Sequence, residues 1–130
     1  MLYKKRRRYK YNLQSAVEIQ VHVKVDKETT IGPLTIRPDG YLLIQPGYAW
    51  DGASSCPDVK SILYPSLIHD ALYQLMREGI LDIDVDRIIA DRLLRDLCIE
   101  KGMWKPAAML VYYAVRLCAE KAARNDTLSA

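Results

Sequence analysis

Hydrophobic and polar positions alternate along the first half of the chain. Within Ala16–Val25 the odd-numbered positions are all Val or Ile. The even-numbered positions from 18 to 24 are polar and include His22. This period of two predicts a half-buried strand with His22 on its solvent face. Shorter strands are predicted over Leu34–Arg37 and Tyr41–Gln45, joined by a turn at Pro38-Asp39-Gly40. The first half is therefore expected to be a small antiparallel β-meander.

The second half changes to helical periodicity, with apolar residues three or four positions apart. Three helices are predicted: Ser66–Arg77, a second that starts at Asp84 or Asp86 and runs to about Lys101, and a third from Pro106 to about Ala123. Strands followed by helices indicate the α+β class. We expect a small N-terminal meander followed by three α-helices, with a conspicuous loop between sheet and helices.

The first predicted helix contains the sequence His69-Asp70-Ala71-Leu72-Tyr73. On a helical wheel its apolar residues form one arc. They are Leu67, Ile68, Ala71, Leu72, Leu75 and Met76. His69 falls at the edge of the arc, Tyr73 lies one turn on, and Asp70 is on the far side. Burial, a hydrogen-bond partner and access to solvent can coexist at such an edge, as a general base requires. The alternative is a boundary histidine that packs and bonds to a backbone carbonyl.

Asp91 lies on the second predicted helix, beside an apolar stripe. The stripe consists of Ile89, Ala90, Leu93, Leu94, Leu97 and Cys98. If the two helices pack antiparallel, Asp91 can approach His69 to within hydrogen-bond distance. A carboxylate bonded to one ring nitrogen would hold the tautomer and leave the other nitrogen able to take a proton. The alternative is a solvated ion pair of Asp91 with Arg87 or Arg95, each four residues away.

A loop over Tyr48–Pro57 separates the strands from the helices. It is rich in glycine, serine and proline and contains one acidic residue, Asp51. Because Pro46-Gly47 redirects the chain and Gly52 permits close backbone approach, we expect the loop to fold back over the His69 helix. Asp51 would then lie near Asp70 or His69.

The composition is that of an ordinary globular domain. The chain has 130 residues, of which 50% are hydrophobic and 27% charged, which suits one domain. The longest apolar run, Pro106 to Val115, is about half of what a bilayer requires, so no transmembrane segment is expected. No secretory signal is recognised. The expected location is the cytoplasm, or a particle assembled there.

The three cysteines are widely spaced and form no Cys-x-x-Cys pair. This spacing argues against a disulfide scaffold and a structural zinc site. Cys98 and Cys118 fall among apolar helix residues and are expected in the core, whereas Cys56 lies in the polar loop and is the cysteine to examine for reactivity.

Positive charge is concentrated at the N-terminus. Six basic residues precede the first acidic one: Lys4, Lys5, Arg6, Arg7, Arg8 and Lys10. The formal net charge is +3, so the remainder of the chain carries −3. We expect residues 1–12 to form a basic, tyrosine-rich arm and residues 13–130 to form a single globular domain. Such an arm can bind nucleic acid, anionic lipid or an acidic protein, or act as a solubilising tail.

Four segments together resemble a domain family of unknown function found in tailed bacteriophages and prophages. They are Asp51-Gly52-Ala53-Ser54, His69-Asp70-Ala71-Leu72-Tyr73, Ala90-Asp91 and Tyr112-Tyr113-Ala114-Val115-Arg116. The resemblance covers about residues 16 to 118, in the order of the family. It implies a phage origin, with the protein in the host cytoplasm or the virion, and implies no activity.

The His-Asp-x-x-Tyr helix with an aspartate on the next helix also resembles phospholipase A2. That resemblance implies that His69 is the general base, that Asp70 holds calcium, and that Asp91 orients His69 with support from Tyr73. Loop carbonyls and the Asp51 carboxylate would complete the calcium ligands. The glycine-rich calcium loop of those enzymes is absent from this sequence.

Two classes of function follow from these patterns. One is a metal-assisted hydrolase of the phospholipase A2 kind, associated with the virion or tail. The other is a non-enzymatic structural or tail-assembly component that contacts other phage proteins. In the second case His69, Asp91, Asp51 and Tyr73 would form a buried polar network that holds the fold. A nucleic-acid-binding accessory protein is a third possibility, but the chain contains no recognisable recognition module.

Overall fold

Strands occupy the first part of the chain and helices the second. The computed structural model describes residues 3–5, 11–50 and 60–124. Its strands are β1 Tyr3–Lys5, β2 Tyr11–Leu13, β3 Val17–Gln20, β4 Thr29–Ile31, β5 Leu34–Ile36, β6 Tyr41–Ile44 and β7 Ala49–Trp50. Its helices are α1 Lys60–Arg77, α2 Ile83–Glu100, α3 Lys105–Cys118 and α4 Glu120–Ala123. The predicted α+β class is confirmed. The chain divides into two compact units, Met1–Gly52 and Ala53–Ala130.

The first unit contains a four-stranded antiparallel sheet with the order β3-β6-β5-β4. In the β5–β6 hairpin, Leu34 lies opposite Ile44 and Ile36 opposite Leu42, and all four side chains are fully buried. The hairpin turns at Pro38-Asp39-Gly40, as predicted, where the Gly40 amide donates to the Arg37 carbonyl. The hairpin therefore forms where the alternating pattern places it, whereas β4 begins within Asp26–Thr30, for which a turn was expected.

The first predicted strand is shorter than expected. Alternating burial continues beyond Gln20, since Val21 and Val23 are buried and His22 is exposed. Strand pairing nevertheless stops at Gln20. The Gln20 side chain donates to the Asp39 carbonyl and accepts from the His22 amide, and His22 has a φ of 61°. The prediction of a strand to Val25 is wrong because this local turn replaces the ladder.

A second sheet has the order β1-β2-β7, and the sequence pattern did not predict it. β2 is its central strand. Tyr11 is buried against Trp50, with ring centroids 5.5 Å apart, and Leu13 is fully buried. Two strands therefore lie wholly or partly within the predicted basic arm, residues 1–12. Arg6, Arg7, Arg8 and Lys10 lie outside the described residues, and Lys4 and Lys5 are described by their backbone alone.

The helices differ from the prediction at their boundaries. The structure continues α1 back through Pro65 to Lys60, although the prediction began at Ser66. The N-cap of α2 is Asp82, so the expectation of Asp84 or Asp86 is wrong. The Asp82 carboxylate accepts from the Asp84 amide, while the Asp86 carboxylate accepts from the Asp82 amide. The third predicted helix is interrupted at Ala119, where α3 gives way to α4.

The helical unit has a core between α1, α2 and α3. The buried cluster consists of Ile62, Leu94, Cys98, Ala108 and Val111. Cys98 is buried as predicted, whereas Cys118 is exposed because it ends α3, beyond this cluster. No helix in the described part of the chain is long and apolar enough to cross a membrane.

Candidate functional site

The apolar arc predicted for the His69 helix is buried in full. Each of its six residues is 5% exposed or less, whereas His69 is 7% exposed and Tyr73 is 2% exposed. Asp70 is half-buried and lies outside the apolar arc. The helical periodicity therefore placed His69 correctly at the margin of the core.

His69 and Asp91 form a hydrogen bond, as predicted. The distance from His69 Nε2 to Asp91 Oδ1 is 2.7 Å. Arg87, one turn before Asp91, contacts Tyr73, one turn after His69. A step forward along α1 thus matches a step backward along α2, which is the pattern of antiparallel helices. The short connection after Gly79 permits this arrangement.

Asp91 is fully buried and is contacted by side chains from all three long helices. Oδ1 accepts from His69 and also from the Tyr73 hydroxyl at 2.6 Å. Oδ2 accepts from Arg116 Nη1 at 2.9 Å and lies 3.9 Å from Arg87 Nε. The alternative of an ion pair with Arg87 or Arg95 is right for Arg87 but wrong in placing the pair in solvent, and Arg95 pairs with Asp96 instead.

Arg87 connects this cluster to the end of α3. Its Nε donates to the Tyr73 hydroxyl at 3.2 Å. Its Nη2 donates to the carbonyls of Val115 and Arg116 at 2.8 and 2.9 Å. These carbonyls lie in the last turn of α3, where a cation also interacts favourably with the helix dipole. Arg87 is buried, and its contacts lock α1, α2 and α3 together.

The electrostatic environment keeps Asp91 ionised. Burial acts to raise the pKa of Asp91, but the hydrogen bonds from His69, Tyr73 and Arg116 lower this pKa below the ordinary value. Burial, together with the hydrogen bond to Asp91, raises the pKa of Tyr73 well above that of a free tyrosine. Tyr73 therefore remains a donor to Asp91 over the physiological range.

The anionic Asp91 determines the tautomer of His69. Because Oδ1 can only accept, Nε2 carries the proton in their hydrogen bond. Nδ1 has no hydrogen-bond partner in the part of the chain that the structure describes. His69 as a whole is 7% exposed, and no fully buried side-chain nitrogen or oxygen in that part lacks a partner. The ring can therefore accept a proton at Nδ1 while Asp91 stabilises the resulting cation.

Sequence reasoning missed two members of this cluster, Arg87 and Arg116, as site residues. Arg87 was considered as a solvated partner of Asp91, and Arg116 entered through a family resemblance alone. Neither arginine breaks the apolar periodicity of its helix, so the pattern gives no sign that either side chain contacts the site. The usable signal is spacing, since Arg87 precedes Asp91 by one turn and faces the same side of α2.

The proposed metal ligands are less completely described. Asp51 lies outside the described residues, as do the other residues up to Pro57 of the loop expected to cover the His69 helix. Asp70 is described and half-buried. Within residues 3–5, 11–50 and 60–124, no group of three or more His, Cys, Asp or Glu side chains is arranged to hold a metal ion.

Comparisons with known proteins add no family to this description: no protein-family model, curated protein or solved structure matches the chain.

Proposed function

We propose that this protein is a hydrolase of ester bonds in which His69 is the general base. The observation that carries the proposal is the 2.7 Å hydrogen bond from His69 Nε2 to a fully buried, ionised Asp91. A histidine oriented by a buried carboxylate, with no hydrogen bond to its second nitrogen from the described residues, is the arrangement that activates water or a hydroxyl group.

The chemistry assigned to the chain is a proton transfer at His69 Nδ1. A water molecule at Nδ1 loses its proton to the ring as its oxygen attacks the carbonyl carbon of an ester. Asp91 stabilises the imidazolium that forms, and Tyr73 keeps the Asp91 carboxylate aligned through its 2.6 Å hydrogen bond. The imidazolium then returns the proton to the departing alkoxide.

Calcium enters the proposal through the resemblance to phospholipase A2. Asp70 would supply one carboxylate ligand, next to His69 in the chain. The described residues do not by themselves form a calcium site, because the remaining ligands implied by the resemblance fall on the loop that contains Asp51. Bound calcium would supply a positive charge for the developing oxyanion. The proton transfer described above does not depend on the ion.

The substrate class and biological setting follow from the same resemblances. We propose a phospholipid ester as the substrate and a tailed phage or prophage as the origin, with the protein in the host cytoplasm or the virion. The basic residues Lys4 to Lys10 would bring the protein to an anionic surface, either lipid or nucleic acid. Other phage proteins would be its partners in an assembly.

A specific observation also favours a structural role for the cluster. Asp91 contacts four side chains, and Arg87 ties the cluster to two carbonyls of α3. A fully satisfied network of this kind can specify a fold without catalysis. In that case the protein would be a non-enzymatic phage structural or tail-assembly component.

The deciding experiment measures hydrolysis of phospholipid in mixed micelles during a calcium titration. His69→Ala removes the ring, whereas His69→Gln retains a donor for Asp91 but has no basic nitrogen. The control is His22→Asn, which changes the other histidine, exposed in the strand unit, to a residue that tolerates its positive φ.

We expect hydrolysis by the wild type and by His22→Asn, with a loss of at least about 100-fold in both His69 variants. His69→Gln should retain a cooperative unfolding transition. Activity that persists in His69→Gln contradicts the catalytic role. A wild type that hydrolyses no ester at any calcium concentration, with His69→Ala strongly destabilised, favours the structural role.

A further inference from the structure

Arg116 has a partly exposed side chain and binds the carboxylate of the His69–Asp91 pair. Its Nη1 donates to Asp91 Oδ2 at 2.9 Å, and 30% of its side chain is exposed. Within the part of the chain that the structure describes, its other N–H groups make no hydrogen bond. His69 and Arg116 thus bind the two different oxygens of one carboxylate.

The cluster around Asp91 carries excess positive charge. Within the described residues, one carboxylate faces two guanidinium groups, Arg87 and Arg116. Arg87 is buried and directs its donors at Tyr73 and at backbone carbonyls. Arg116 is therefore the guanidinium of the two that has part of its side chain exposed.

We propose that Arg116 binds a phosphate group of the ligand, next to the general base. A guanidinium has five N–H donors in a planar fork that matches phosphate oxygens two at a time. With Nη1 fixed by Asp91, the fork is held in one orientation before the ligand arrives. The assignment of this phosphate to the substrate rests on the proposed function, whereas the binding site itself does not.

The shared chemistry is a phosphate group, which can come from a lipid headgroup or from a free phosphate. Two soluble probes separate these sources: glycerophosphocholine, a phosphodiester, and inorganic phosphate. Each is titrated at constant ionic strength while the side-chain Nε–H and backbone amide signals of the protein are followed by NMR. Chloride replaces the probe in the reference titration.

The informative variant is Arg116→Lys. Its single ammonium can keep the contact with buried Asp91, and so preserve the fold, but it leaves no second nitrogen for a ligand. Arg95→Gln is the matched control, since Arg95 also pairs with one neighbouring carboxylate, Asp96, away from the cluster. Denaturant unfolding of both variants checks the fold.

We expect saturable binding of at least one probe to the wild type and to Arg95→Gln, weakened at least tenfold in Arg116→Lys. Binding of glycerophosphocholine assigns the site to a headgroup diester, and binding of inorganic phosphate alone assigns it to a free phosphate. Equal binding by Arg116→Lys and the wild type overturns the proposal, as does equal weakening in Arg95→Gln.

The two proposals can fail separately. His69→Gln should bind the phosphate probes as the wild type does, because Arg116 retains its contact with Asp91. Arg116-dependent binding in a protein without esterase activity would retain the phosphate site and reject the hydrolase. Esterase activity that depends on His69, with no phosphate binding by the wild type, would retain the hydrolase and reject the phosphate site.

Discussion

Asp91 is the residue on which the arrangement of the site depends. It is fully buried, and four side chains from three helices converge on its two oxygens. A buried charge is costly unless it is compensated, and removing it leaves its partners uncompensated in turn. The fold and the proposed chemistry therefore place the same demand on this position, which is an ionised carboxylate.

We expect Asp91→Asn to lower the free energy of unfolding by about 3–5 kcal/mol at pH 7, because Arg116 and Arg87 lose their counter-charge. The folded-state pKa of Asp91 is lowered, so the unfolded chain binds a proton first as the pH falls. This stabilisation is present above about pH 4 and is lost below it. Urea unfolding at several pH values checks this: the difference between wild type and Asp91→Asn should shrink below about pH 4. A constant difference down to pH 2 would contradict it.

Tyr73 provides a second residue-level prediction. Tyr73→Phe should lower the free energy of unfolding by about 1.5–3 kcal/mol, since Asp91 loses a hydrogen bond. The pKa of Tyr73 is raised in the fold, so its stabilisation holds below about pH 10 and is lost as the pH rises further. Tyr113→Phe, at a tyrosine that is 54% exposed, should change stability by less than about 0.5 kcal/mol. Equal losses in both variants, measured by urea unfolding at pH 7 and 10.5, would exclude this role.

At the scale of elements, the N-terminus of α2 carries its own stabilising contacts. Asp82 and Asp86 cap it reciprocally through the amides of Asp84 and Asp82. Asp82→Ala should therefore cost about 1 kcal/mol, whereas Asp82→Asn, which can still accept from the Asp84 amide, should cost a few tenths. Thermal and urea unfolding of the two variants provide the comparison. If Asn proves as costly as Ala, the charge of Asp82 matters more than its hydrogen bond.

Element types were easier to predict than element boundaries. Periodicity identified the hairpin and the buried arc of α1, because both follow from which residues avoid water. It missed β1, β2, β4 and β7 because strands of two or three residues are too short to show a period. The break at Ala119 carries no glycine or proline to signal it, and the end of β3 depends on hydrogen bonds made by the Gln20 side chain.

The candidate site was predictable only in part, for a related reason. His69, Tyr73 and Asp91 could be brought together by two helical wheels and an antiparallel connection. Arg116 belongs to a third helix, and its distance from Asp91 depends on how α3 packs, which no local pattern encodes. Charged residues on a buried stripe, such as Arg87, also resemble solvated ones until their partners are known.

At the scale of the whole molecule, the sequence divides its charge unevenly. Six basic residues lie before Tyr11, and the rest of the chain carries a net charge of −3. The same stretch contributes β1 to a sheet whose central strand begins at Tyr11. The same segment therefore carries the positive charge and forms part of a sheet. A test of surface binding has to change the charge without removing the strand.

Replacing Lys4, Lys5, Arg6, Arg7, Arg8 and Lys10 by Gln separates the two, since it changes the net charge from +3 to −3 and leaves Tyr11 in place. We expect nearly unchanged thermal stability and weaker binding to anionic phospholipid vesicles in co-sedimentation. The difference from wild type should shrink as salt rises, because exposed charges are screened beyond about 10 Å at 0.1 M ionic strength. Deleting residues 1–12 should also destabilise the fold, because it removes buried Tyr11 from its contact with Trp50. A Gln variant that melts early yet binds vesicles normally would show that the basic residues serve the fold rather than a partner.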